Sequence, residues 1–133
     1  MKVLLDTHVW IFAEEDPTRI GKKAKAILLD QGVKIFVSTI STLEIAQLHY
    51  RGRLSFKVPI MTWVKKSIDN LNLETIALDH QVSISAYDSD ITIHSDPADR
   101  ILVATAREYS MKLITADKKI LALDWVDTID MGV

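Results

Sequence analysis

The chain has 133 residues, no Cys, and 16 Lys+Arg against 18 Asp+Glu, for a net charge of −2. Without Cys there are no disulfides and no thiolate metal sites. A composition that is 48% hydrophobic and 26% charged excludes a disordered chain. The balanced charge excludes a uniformly basic nucleic-acid coat, though not a local basic rim.

The length predicts a single domain over residues 1–133. No apolar run approaches the ~18 residues of a membrane span. Asp6 interrupts the opening Met1–Leu5 stretch before a signal peptide can form. The expectation is a cytoplasmic protein with no membrane partner.

Val3-Leu4-Leu5 is a short apolar run that ends at Asp6, the pattern of a buried parallel strand with a carboxylate at its end. His8 to Ala13 follows as a helix, which Asp16-Pro17 breaks. Lys22 to Asp30 is a second helix, with Gly32 just beyond it. Val33 to Val37 is β-branched and aromatic, hence a strand. Ser41 to Arg51 is a helix closed by Gly52, and Pro59 precedes another with Ile60, Trp63, Val64 and Ile68 in register. A strand is expected over Thr75–Leu78 and a short helix from Asp79 or His80 to Tyr87. Asp96-Pro97 opens a long helix to Tyr109. Lys112 to Thr115 is a strand, Lys118 to Leu123 a short helix, and Val126 to Ile129 the last strand. Short apolar strands alternating with helices predict an α/β fold with a mostly parallel sheet. In such sheets ligands bind beyond the carboxyl ends of the strands.

Acidic residues stand where that rule points. Asp6 follows the first strand, Glu44 lies in the first turn of the helix after the second, and Asp117 follows Leu113-Ile114-Thr115. Asp99 lies in the first turn of the Pro97 helix. Carboxylates that converge on one edge repel unless they are neutralised. A hard divalent cation with oxygen ligands is the usual neutraliser. The four His residues show no H-x-x-x-H spacing, so Mg²⁺ or Mn²⁺ is expected rather than zinc. Such ions support phosphodiester hydrolysis.

Each acid also has a local reading. Asp6 and Asp117 suit helix caps or turns. Ser41-Thr42-Leu43-Glu44 matches a capping box, with Glu44 bonding back to the Ser41 amide. Asp96 caps the Pro97 helix, and this explains it fully. None of these local roles explains why Asp6, Glu44, Asp99 and Asp117 fall on one predicted edge. His8 reads as solvated or structural, and His94 as orienting the loop before Asp96. Asp88-Ser89-Asp90 opens like a calcium loop but has Ile93 where Gly is needed. Trp10, Phe12, Phe36 and Trp63 sit at core spacing. Lys22-Lys23-Lys25 and Lys65-Lys66 read as solvated faces. Arg51 and Arg53, flanking Gly52, are candidate RNA contacts.

Four segments together resemble the PIN-domain family, and within it the VapC-type toxins of toxin–antitoxin modules. They are Leu4-Leu5-Asp6-Thr7-His8-Val9-Trp10, Ser38–Ala46, His94–Leu102, and Leu113-Ile114-Thr115-Ala116-Asp117. The resemblance spans essentially the whole chain, and no acidic position departs from it.

The resemblance implies a three-layer α/β/α sandwich and a Mg²⁺- or Mn²⁺-dependent endoribonuclease with one or two ions per site. Asp6, Glu44 and Asp99 would hold the metal, Asp117 would ligate directly or through water, and Thr7, Ser41 and Thr115 would support them. Metal-activated water would attack phosphorus and leave 5′-phosphate and 3′-hydroxyl ends. The implied partners are an RNA, with transfer RNA one choice, a cognate antitoxin protein, and a second copy in a homodimer. Two other readings stay open: a catalytically silent binding module on the same fold, and a PIN nuclease of RNA processing rather than a toxin. A haloacid-dehalogenase-type phosphatase would need a second Asp where His8 stands. A receiver domain would need paired acids near the first strand, where Asp6 stands alone.

Overall fold

A computed structural model of the chain describes residues 1–88 and 96–133. Five strands form one sheet in the order β3-β2-β1-β4-β5, and every neighbouring pair is parallel. They are β1 (Lys2–Leu5), β2 (Lys34–Ser38), β3 (Glu74–Ile76), β4 (Lys112–Thr115) and β5 (Thr128–Asp130). The helices are α1 (Thr7–Glu15), α2 (Lys22–Leu29), α3 (Thr39–Tyr50), α4 (Ile60–Asn70), α5 (His80–Ser85), α6 (Pro97–Glu108) and α7 (Lys118–Leu121), with a 3-10 turn at Pro17–Arg19.

The strands read as continuous apolar runs because both faces of the sheet are covered. Alternate residues feed opposite layers. Val3, Leu5, Ile35, Val37 and Ile114 pack with Val9 and Trp10 of α1 and Trp63 of α4. Leu4 and Leu113 pack with Val82 of α5 and Leu102 of α6. Trp10 is fully buried, and its indole N–H donates to Ser67 Oγ of α4 at 2.9 Å. The expected α/β/α sandwich with a parallel sheet is therefore the observed architecture. No helix among the described residues is long and apolar enough to cross a membrane.

Some boundaries differ from expectation. The helix expected from Ser41 begins at Thr39, because Ser38 caps it through a 3.1 Å bond from Ile40 N–H to Ser38 Oγ. That places Glu44 in the second turn rather than the first. It also removes the capping box, since Ser41 lies inside the helix. The third and fifth strands are short and displaced to Glu74–Ile76 and Thr128–Asp130. Phe12 and Phe36 are half-buried rather than enclosed. The loop reading of His94 and the Asp88-Ser89-Asp90 comparison fall on residues that lie wholly or mainly outside the described ones.

The order of the strands sets the position of the site. From β1 the chain winds outward through β2 and β3, then returns to the other side of β1 to place β4 and β5. The winding direction reverses between β1 and β4, and in sheets of this kind the crevice for a ligand lies beyond the carboxyl ends of those strands.

Candidate active site

Asp6 stands at the end of β1, at this crevice. It is only 7% exposed. Its Oδ1 accepts a 2.7 Å bond from the Thr7 backbone N–H, and its Oδ2 accepts a 2.6 Å bond from Thr115 Oγ1 at the end of β4. A helix cap usually receives the N–H of the second or third residue of the helix. Asp6 receives the first, and its other oxygen reaches across to the neighbouring strand. The side chain is thus held as a member of the crevice as well as an end to α1. Burial raises its pKa, the two hydrogen bonds and His8 lower it, and Asp117 raises it further.

Thr115 ties the second acid to the first. Its Oγ1 donates to Asp6 and accepts a 3.0 Å bond from the Asp117 backbone N–H. Asp117 then caps α7 by accepting from Lys119 N–H at 2.8 Å. Asp117 thus caps the start of a short helix with one carboxylate oxygen, and its charge is felt by Asp6 and Asp99.

Thr7 ties in the third. Thr7 and Ser41 are fully buried, and Thr7 Oγ1 lies 2.8 Å from Ser41 Oγ and in a short contact with Glu44 Oε1. A hydroxyl has one proton to give. The Glu44 carboxyl oxygen accepts it, and Ser41 supplies its own proton to the Thr7 oxygen. Ser41, at the second residue of the four-residue run from Ile40 to Leu43, therefore supports Glu44 from one turn before it. Burial raises the Glu44 pKa, the Thr7 bond lowers it, and Asp6 and Asp96 raise it.

Asp99 comes from the first turn of α6. Burial, then Asp6, Asp96, Glu44 and Asp117, push its pKa up to about 7. All four acids expected from the sequence thus share one electrostatic neighbourhood. Asp96 is a fifth member. It caps α6 through a 3.0 Å bond from Ala98 N–H, and it also raises the pKa of both Glu44 and Asp99. Its capping role hid this in the sequence, because a good cap leaves nothing further to explain. His8 is the second addition. It is exposed on α1, and its charge is felt by Asp6 and Glu44.

The donors suit a hard divalent cation: they are all carboxylate oxygens, and they repel one another. Among the described residues, however, no three His, Asp or Glu side chains are drawn together as a closed metal-binding group. The chemistry fits an ion, while the side chains stand apart around the crevice.

Beside Glu44, a cavity of about 330 Å³ opens between α3 and the start of α6. Arg51 lines it, and Arg53 is not among its lining residues.

The PIN-domain family model matches residues 3–126. Ribonuclease VapC22 of Mycobacterium tuberculosis is 28% identical over 118 residues, which cover 89% of this chain and 88% of that protein. The crystal structure of DNA-bound VapBC from Salmonella typhimurium superposes with a TM-score of 0.72 at 16% identity, covering 98% of each chain. VapBC2 from Rickettsia felis, bound to a DNA fragment from its promoter, gives 0.69 at 16% identity, covering 97% of this chain and 98% of that one. The second of these likenesses concerns the fold alone, as does the third. With a match from the first strand to the edge of the last, and acids at the four positions that the resemblance requires, the chain belongs to the PIN-domain family.

Proposed function

We propose that this protein, as one domain, is a divalent-metal-dependent endoribonuclease and the toxin of a toxin–antitoxin pair. The observation that carries the reading is the convergence of Asp6, Glu44, Asp99 and Asp117 from four chain segments, with Asp99 pushed to about 7 by burial and then by the neighbouring acids. The relative named as a ribonuclease and the structural neighbours, which are VapBC proteins, support the same reading.

Asp6, Glu44 and Asp99 would hold Mg²⁺ or Mn²⁺, one ion or two, with Asp117 ligating directly or through water. When bound, the ion supplies Lewis-acid polarisation of a phosphoryl oxygen and lowers the pKa of water. The chain's own residues prepare this. Thr115 and the Thr7 N–H fix both oxygens of Asp6, and Thr7 with Ser41 fixes Glu44. Asp99 holds or releases a proton near neutral pH. Arg51 meets the RNA backbone; the partners are an RNA substrate, with transfer RNA one choice, a cognate antitoxin and a second copy of the chain, in the cytoplasm.

The open spacing of the acids favours a second reading, a binding module on the same fold whose carboxylates only cap helices and shape a surface. One experiment separates the two. Purified protein is incubated with a pool of structured RNAs in Mg²⁺, in Mn²⁺ and in EDTA, beside Asp99→Asn. Metal-dependent cutting by the wild type alone is the expected result. Correctly folded, partner-free protein that cuts nothing would leave the binding module. Equal cutting by both proteins would remove Asp99 from the site.

A further inference from the structure

The α3–α6 cavity shares Glu44 with the acidic crevice but has its own chemistry. Glu44, Gln47, Leu48 and Arg51 form one wall, and Asp96 and Pro97 face them. The α3 residues recur at i, i+3, i+4 and i+7, so they make one stripe on the helix. Arg51 lies two turns from Glu44, about 10 Å along the axis at 1.5 Å per residue. Gln47 and Arg51 are exposed. Neither side chain makes a hydrogen bond or ion pair among the described residues. Most surface cations of this kind are solvated, but Arg51 is the one cationic side chain lining this cavity. A volume of about 330 Å³ lies at the small end of ligand pockets, roughly 300–1,000 Å³. A space of that volume suits one nucleotide and is too small to enclose a base pair.

We infer that this cavity holds the nucleotide next to the scissile phosphate of a single-stranded RNA, with Arg51 on its phosphate and Gln47 on its base edge. The inference rests on the proposed nuclease reading and adds the cavity that seats the neighbouring nucleotide and the residue that selects sequence. An amide carries donors and an acceptor together, so Gln47 pairs with a base edge that offers the complement. An unpaired base presents that edge, and a duplex conceals it. Leu48 gives the base an apolar seat. Asp96 on the facing wall repels phosphate and turns it to the Arg51 side.

Two readouts test this. The first is anisotropy of a labelled single-stranded RNA pool on Asp99→Asn protein, with Arg51→Ala, Arg53→Ala and Lys34→Ala added in turn. Lys34 begins β2, at the opposite edge of the sheet. Arg51→Ala should weaken binding about tenfold and flatten the slope of log affinity against log salt by about 0.7. Lys34→Ala should do neither. Equal losses for Arg51→Ala and Arg53→Ala would overturn the inference, because only Arg51 lines the cavity. The second readout is sequencing of cut ends. Gln47→Ala should reduce base preference at one position beside the cut by about fivefold or more. A preference that is unchanged in Gln47→Ala would also overturn it. If the wild type cuts no RNA, the nuclease reading fails; the anisotropy series then still decides whether the cavity binds a strand.

Discussion

Thr115 Oγ1 donates a 2.6 Å hydrogen bond to Asp6 Oδ2, joining two residues 109 positions apart in the chain. The same hydroxyl accepts the Asp117 N–H at 3.0 Å. It therefore sets the distance between the acid after β1 and the acid after β4.

Thr115→Val keeps the shape and deletes the hydroxyl. The Asp6 carboxylate loses its side-chain donor, and the Asp117 N–H loses its acceptor. A buried polar group left unmade costs about 1–3 kcal/mol, so thermal unfolding should come several degrees earlier. Because that bond lowers the Asp6 pKa, its loss should also move the acid limb of the pH–rate profile upward. Thr115→Ser should restore both. Calorimetry and a pH–rate series check this, and a variant with an unmoved acid limb would count against Thr115 as the orienting group.

Asp99 makes stability depend on pH in a direction opposite to most carboxylates. Its pKa is about 7 in the folded chain, well above the 3.8 of a free carboxyl. The folded state therefore holds the proton more tightly than the unfolded state. Stability from this group is fully present below about pH 4 and is lost as pH rises through about 7. Asp99→Asn removes the charge while keeping the shape, so in EDTA at pH 8 it should be more stable than the wild type. The group is partly exposed, so solvent screening limits the gain to the order of 1 kcal/mol. Melting curves at pH 5 and pH 8 check it; a variant less stable than wild type at both would contradict the cost of ionising a buried Asp99 among other acids.

Much of this was legible before the structure. Val3-Leu4-Leu5-Asp6 announces a buried strand that stops on a charge, because only burial on both faces makes a run without alternation. Asp96-Pro97-Ala98-Asp99 announces a helix start through its cap and its Pro at N1. What escaped was three-dimensional or ambiguous. Ser38 and Ser41 are both plausible caps, and Glu44 three residues after Ser41 imitates a capping box. The winner, Ser38, is decided by where β2 ends. Asp96 faces Glu44 only after α3 and α6 pack, and no local pattern carries that. The edge strand β3 and β5 are three residues each, too short for periodicity to place.

Divalent cations should stabilise the wild type in proportion to their occupancy. Binding only to the folded state adds RT ln(1 + [L]/Kd), about 2.7 kcal/mol at a hundredfold excess over Kd. Mg²⁺ or Mn²⁺ at neutral pH should therefore raise the melting temperature over EDTA, and the effect should shrink strongly in Asp99→Asn and in Glu44→Gln. Ionic strength is matched with a monovalent salt, so that general screening of the five acids is not mistaken for binding. An identical rise with the monovalent salt would remove the case for a metal centre.

Thr7 supplies the last test, because it links the start of α1 to α3. Thr7→Val leaves the fully buried Ser41 hydroxyl without the Thr7 oxygen and Glu44 without its donor. The stranded Ser41 should cost about 1–3 kcal/mol. Glu44, no longer held, should raise the divalent-ion requirement and lower the cleavage rate, with the metal-dependent melting shift reduced in parallel. Thr7→Ser keeps the hydroxyl and loses one methyl group, worth about 0.8 kcal/mol of burial. It should therefore destabilise slightly while keeping most of the metal response. The two variants separate packing from positioning. If Thr7→Val and Thr7→Ser lose the metal response equally, the hydroxyl is not what holds Glu44, and the methyl contact would have to carry the link between α1 and α3.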